Sequence, residues 1–377
     1  MMALALLALA AQVHTDFEAG NLGGAEWVSK DHLRVAVAGE SDQDQRNRQP
    51  SWFYFRLEGV AGRGLTIDIT GLAGEYNYRP HDGSGLRNMK PVYSYDNREW
   101  VHLEDAEWIA GESTVRLRLK PAKNTLWIAR QPPYTNASLE RLLAEVRKSG
   151  FVTEEIIGKT PRGRPMRLLT VTNPAAPEAE KKVLWLMVRQ HSWESGTSWA
   201  AEGLLRFLVS DDGAARGIRD AAIFKILPMC DPDGVARGGV RFNQWGYDLN
   251  RNWDAVDAKL MPEIDAQRRA ILGWVDSGRR IDLFVTLHNT ESADFIEGPL
   301  TAGGPEMRAL GERFWKWLVD RTSFYSPGGA RDSRPSTTPG MKGRMSVNQG
   351  LFHERKIPAF LMELMVDRNP KLGRCPT

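Results

Sequence analysis

Between residues 183 and 208 the chain reads VLWLMVRQHSWESGTSWAAEGLLRFL, and no other stretch limits the possible folds as much. Residues 183–188 are an unbroken apolar run with no room for a turn, which reads as a buried strand. A polar corner follows, Arg189-Gln190-His191-Ser192-Trp193-Glu194. From about Gly196 the pattern turns helical, with apolar positions at Trp199, Leu204, Leu205 and Leu208. His191 and Glu194 thus fall where a strand ends and a helix begins, the usual ligand position in an open α/β sheet. An imidazole and a carboxylate three residues apart on such a corner can grip one metal ion.

The surrounding pattern predicts two domains after a short leader. MMALALLALAAQ has a small apolar core with Ala8 and Ala10 in place for cleavage near Ala10-Ala11, so residues 1–15 read as a secretory leader. That reading makes the mature protein periplasmic or extracellular, and without it the chain would be cytoplasmic. Residues 16–130 carry short runs rich in β-branched and aromatic residues at 52–55, 65–69, 114–119 and 125–128, separated by Gly, Asn, Asp and Pro. This spacing predicts an all-β sandwich that shapes one wall of the neighbouring site. Gln131-Pro132-Pro133-Tyr134 marks the boundary. Over residues 131–377 helices and strands alternate: helices at 138–148, 262–276 and 305–319, strands at 166–172, 183–188, 222–227, 281–287 and 357–361. The alternation predicts an α/β domain with a mixed, mostly parallel sheet flanked by helices. Residues 326–342 form a long Gly-, Pro- and Ser-rich loop of the kind that covers sites.

Composition excludes several classes. Fifty basic against 47 acidic residues leave a net charge of +3, without the basic excess that nucleic acid demands. No stretch beyond the leader is long and apolar enough to span a membrane. Two cysteines cannot build a disulfide framework, and Cys230, after an apolar strand, reads as a buried thiol.

A catalytic zinc site takes three protein ligands and leaves one position open. His288 ends the apolar run 281–287 as His191 ends its own, and completes a trio with His191 and Glu194. His353 lies in the charged Phe352-His353-Glu354-Arg355-Lys356 and reads as a surface residue. A ligating histidine needs its second nitrogen fixed, and Asp248 in Gly246-Tyr247-Asp248-Leu249-Asn250-Arg251-Asn252-Trp253 is the candidate partner of His191.

Together with Asp231-Pro232-Asp233-Gly234-Val235, Arg241, Asp248-Leu249-Asn250-Arg251-Asn252-Trp253, Leu287-His288 and Phe360-Leu361-Met362-Glu363, this corner resembles the zinc metallocarboxypeptidases. The resemblance is greatest to the cytosolic carboxypeptidase branch and its bacterial relatives. It implies a carboxypeptidase-like fold, one Zn2+ per chain on His191, Glu194 and His288, and peptide or protein C-termini as substrates. It further implies Glu363 as general base, Arg241 as oxyanion stabiliser, and Asn250 and Arg251 as holders of the terminal carboxylate. Arg344, in Met341-Lys342-Gly343-Arg344, corresponds to a basic residue at the floor of the side-chain pocket and implies a preference for acidic C-terminal residues. The chain departs from the family in placing Ser192-Trp193 where Pro-Gly is common, which puts a bulky ring beside the metal. The family's mobile tyrosine has Tyr325 as its nearest counterpart. Two other readings use the same residues: a zinc amidase or deacylase, cell-wall stem peptides included, and a non-catalytic peptide-binding module.

Overall fold

The computed structural model describes residues 11–45, 47–76, 79–333 and 342–376. Residues 1–10, where most of the expected leader falls, and residues 334–341 of the long loop lie outside the described residues. Gln12–His14 already form a strand paired with Tyr54–Glu58, so the β-domain begins ahead of residue 16.

Thr114–Leu119 shows why this first half is a sandwich. Val115 and Leu117 turn inward while Arg116 and Arg118 face out, the period of two that covers one face of a sheet. Two five-stranded sheets of this kind close on Phe55, Leu57, Ile67, Ile69, Leu126 and Ile128, all fully buried. A third, four-stranded sheet is built from very short strands, Glu40–Ser41, Arg48–Gln49, Gly74–Tyr76 and Arg79–His81.

The second half holds an eight-stranded mixed sheet. Its order is Val152–Lys159, Pro165–Val171, Ala222–Leu227, Lys182–Val188, Leu283–Thr290, Ala359–Met365, Phe295–Gly298 and Arg331–Asp332. The four central strands, from Ala222–Leu227 to Ala359–Met365, run parallel. This is the mixed sheet expected from the alternation. The helices Asn136–Val146, Ser195–Val209, Pro262–Asp276 and Gly304–Arg321 flank it.

Some local expectations are corrected. The first helix starts earlier than Ser138, because Thr135 is its N-cap and Ser138 the returning member of a capping box. Helix Ser195–Val209 buries Ser195, Thr197, Ser198, Ala201, Leu205 and Leu208, while Trp199 is 37% exposed and stacks edge-on against Tyr134. His353 belongs to a helix, Val347–Arg355, that the charged sequence concealed. Both cysteines are free and buried.

The two halves meet through Trp193. Its ring joins Ala19, Trp52, Tyr54, Val92 and Ala129 of the sandwich and Val240 of the second domain in one apolar cluster. Trp193 N donates to Val240 O at 3.0 Å, and Gln131 Nε2 donates to Trp193 O at 2.7 Å. The ring is therefore packed between the domains, and Trp193 also lines the cleft that holds the metal trio. A buried ion pair, Arg130 to Asp367 at 3.2 Å, lies on the same seam.

Candidate metal centre

The corner after Lys182–Val188 is tight: Arg189 takes a positive φ of 64°, and its guanidinium donates back to Ser192 O and to Ser198 Oγ. This fixes His191 and Glu194 at the sheet's carboxyl edge. His288 arrives one parallel strand over, in Leu283–Thr290, and Glu363 is its register partner on the next, Ala359–Met365. His191, Glu194 and His288 are each at most 2% exposed.

Their polar atoms converge. His191 Nδ1 lies 2.8 Å from Glu194 Oε1. His288 Nδ1 lies 3.1 Å from Glu194 Oε2 and 3.2 Å from His191 Nδ1. The far nitrogens have partners of their own: His191 Nε2 with Asp248 Oδ1 at 3.0 Å, and His288 Nε2 with Gln190 Oε1 at 3.1 Å. Those acceptors assign the ring protons to Nε2, so both Nδ1 atoms present lone pairs to the same point as the Glu194 carboxylate. With both rings neutral the three acceptors repel one another, and a cation between them, a proton on an imidazole or a metal ion, removes that repulsion. A tetrahedral zinc site with bonds of 2.0–2.1 Å has edges of about 3.3–3.4 Å, close to the separations seen here. The donor set fits zinc, and among the described residues this trio is the group able to hold a metal ion.

The electrostatics follow from position. Burial acts to raise the Glu194 carboxyl, but the two imidazoles prevail and draw it to about 2. Burial likewise opposes the charge of Asp248, yet Arg241, His191 and Arg251 hold it well below the ordinary range. Burial, with Glu194, Glu291 and Glu297 nearby, pushes Glu363 well above it, although Arg241 pulls the other way. Glu363 Oε2 has no hydrogen-bond partner among the described residues.

The expected residues separate into two connected cavities. A cleft of about 680 Å³ holds His191, Glu194, His288, Glu363, Arg241, Asn250 and Arg251. Arg241 Nε is tied to Asp248 Oδ2 at 2.8 Å. Asn250 Oδ1 accepts from Val347 N at 2.9 Å, which fixes its amide beside His288. Arg344 is not in this cleft. It lines an adjoining recess of about 230 Å³ with Lys342, Arg241 and Arg251. Tyr325 does not line either cavity; among the described residues the tyrosine that does is Tyr76, contributed by the β-domain.

Sequence reasoning missed what the β-domain brings. Gln49, Tyr76, His81, Arg87 and Asn88 line the same cleft as the metal trio, and strands of two or three residues gave no periodicity to find them by. It also missed Gln190, although its place beside His191 was a usable signal.

Comparison with known proteins agrees with this architecture. A family model described as zinc carboxypeptidase matches residues 139–294, and one described as cytosolic carboxypeptidase N-terminal domain matches residues 13–130. An uncharacterized protein of Zymomonas mobilis is 26% identical over 317 residues, 84% of this chain and 77% of that one. Cytosolic carboxypeptidase 3 of Mus musculus is 26% identical over 72% of this chain, which spans only 28% of the mouse protein. The crystal structure of a metallo-carboxypeptidase from Burkholderia cenocepacia superposes with a TM-score of 0.82 at 26% identity, covering 98% of this chain and 94% of that one.

Proposed function

The chain belongs to the zinc carboxypeptidase family, and we propose that it hydrolyses the last peptide bond of peptides or proteins, with preference for an acidic C-terminal residue. The observation that carries this reading is the convergence of three lone-pair donors with Glu363 and two arginines in one cleft. Zinc, when bound, supplies a Lewis acid that polarises the scissile carbonyl and eases ionisation of water.

The remaining work falls to the chain itself. Glu363 takes the proton of the attacking water and delivers it to the leaving amine; its unpartnered Oε2 suits that task. Arg241 meets the oxyanion with the guanidinium N–H groups that Asp248 leaves available, a fixed charge where charge develops. Arg251 receives the terminal carboxylate through its planar fork, with Asn250 beside it. Arg251 Nη1 is bonded to Asn250 O at 2.8 Å, which orients the pair. The acidic preference rests on the 230 Å³ recess, where Arg344 and Lys342 stand beyond Arg251. The C-terminal side chain would enter there and meet positive charge in a confined space.

The test is zinc-loaded protein with a peptide library varied at the last position, read by mass spectrometry. Single-residue trimming favouring Glu and Asp is expected, and Arg344→Ala should abolish that preference while other ends are still trimmed. Cleavage of acyl-amino acids or stem peptides with no trimming of the library would favour the amidase reading. Glu363→Gln should abolish turnover with zinc content still near one per chain, and full activity would remove Glu363 as base. Zinc and peptide binding without turnover on any substrate would leave a binding module.

A further inference from the structure

One carboxylate of the β-domain holds the loop that carries Arg241. Glu40, in the short strand Glu40–Ser41, turns its Oε2 to three consecutive backbone N–H groups: Val240 at 3.0 Å, Arg241 at 2.5 Å and Phe242 at 2.8 Å. Its Oε1 pairs with the Arg237 guanidinium, and the side chain is 18% exposed. Successive N–H groups aimed at one point form an anion-binding nest. A carboxylate in such a nest makes charge-assisted bonds roughly twice as strong as neutral ones.

A second contact lies close by. Gln43 N donates to Gly246 O at 3.1 Å. Gly246 has φ +85°, and a Cβ there would stand 2.3 Å from Gln43 N, so only glycine permits this approach. Phe242 in turn bridges to Asp248. A continuous series of contacts therefore runs from Glu40 through the 240–242 backbone to the Arg241 guanidinium, then to Asp248 and His191.

We propose that Glu40 is a positioning residue for Arg241: the β-domain inserts this carboxylate to fix the loop, so that the guanidinium already stands where the oxyanion forms. The inference rests on the role given to Arg241 above. A donor that is ordered beforehand costs no reorganisation during the reaction, and a displacement of about 1 Å in such a group can cost on the order of 100-fold in rate. Without Glu40, Arg241 keeps its tie to Asp248 and its place over the Tyr76 ring, but the three N–H groups of residues 240–242 lose their shared carboxylate and turn to water.

The experiment uses the full zinc-loaded chain carrying Glu40→Gln, Glu40→Ala or Arg241→Ala, and each Glu40 change combined with Arg241→Ala. Glu40→Gln keeps the shape of the side chain and guards against misfolding in the alanine variant. The expected result is a kcat reduced about 10-fold in Glu40→Gln and toward 100-fold in Glu40→Ala, with KM within about twofold. Zinc content stays near one per chain. Affinity for a phosphonate peptide analogue, whose anionic oxygens mimic the oxyanion, falls by the same factor, while affinity for the product amino acid does not change. In the Arg241→Ala background, removing Glu40 costs nothing more. Wild-type kcat and phosphonate affinity in both Glu40 variants, with Arg241→Ala impaired, would overturn the inference alone. So would an equal further loss in the Arg241→Ala background. Full activity and phosphonate binding in Arg241→Ala would overturn the role of Arg241 and this inference with it.

Discussion

Replacing Trp193 by alanine separates a ring that joins two domains from a ring that obstructs a metal. The side chain is 6% exposed and sits in the seam cluster with Trp52, Tyr54, Val92, Ala129, Ala19 and Val240. A buried tryptophan removes about 200 Å² from water, worth about 5 kcal/mol at 25 cal/mol per Å². Measured truncations of buried aromatic residues cost about 3–5 kcal/mol, and the two figures agree. The backbone bonds of residue 193 to Val240 and Gln131 survive in the variant, so the loss belongs to the ring. With an unfolding entropy of about 2.1 cal/mol/K per residue, a chain of this length should lose roughly 4–6 °C in melting temperature. Calorimetry is the assay, since a weakened seam should also split one transition into two. KM for peptides should stay within about twofold, because the ring is only 6% exposed and held in the seam cluster. A melting loss below about 1 °C together with a changed KM would refute this reasoning and return Trp193 to the role of gatekeeper.

Three further outcomes follow from the structure. Asp248→Asn removes the charge shared by His191 and Arg241, and should weaken zinc binding about 10–100-fold in a chelator competition; unchanged affinity would show that His191 needs no such partner. Burial, reinforced by Asp231, raises Glu263 to about 7, above its value of 4.5 in an unfolded chain. The folded state therefore holds the proton more tightly, and the stability due to protonated Glu263 is full below about pH 4.5 and declines as pH rises to about 7. Glu263→Gln should accordingly melt like the native protein near pH 5 and several degrees higher near pH 8, and a gap that does not vary with pH would count against the assignment. Gly246→Ala should lower stability by more than 1 kcal/mol in a denaturant titration, since a Cβ meets the Gln43 backbone at a positive φ; a neutral result would mean that the contact between the β-domain and this loop is dispensable.

The parallel centre of the sheet was legible because the run 183–188 has no polar face and 283–287 interrupts its apolar residues only with Thr286, and only burial on both sides accommodates them. The metal trio was legible for a related reason: His191 and His288 both stand where such a run meets polar sequence, and adjacent parallel strands end on the same edge. The capping box of Ser346 and Gln349 was present in the sequence, but charges at 353–356 outweighed it, and the helix Val347–Arg355 went unseen. Trp199 departs in the opposite direction: its size suggests burial, yet small hydroxyl residues fill the helix's inner face. Glu40 had no local signal at all. Its importance comes from a contact with residues 200 positions away, and nothing in Gly39-Glu40-Ser41 announces it.

The cleft also has a consequence for what can enter it. It is lined both by the metal trio and by Tyr76, His81 and Arg87 of the β-domain. If the chain trims C-termini as proposed, a protein end must reach the trio as a single extended strand that fits between the two domains. A C-terminus packed into its own fold would be passed over whatever its last residue. Selection would then act on the disorder of a tail before its chemistry, and unfolding a substrate's end would suffice to make it a target.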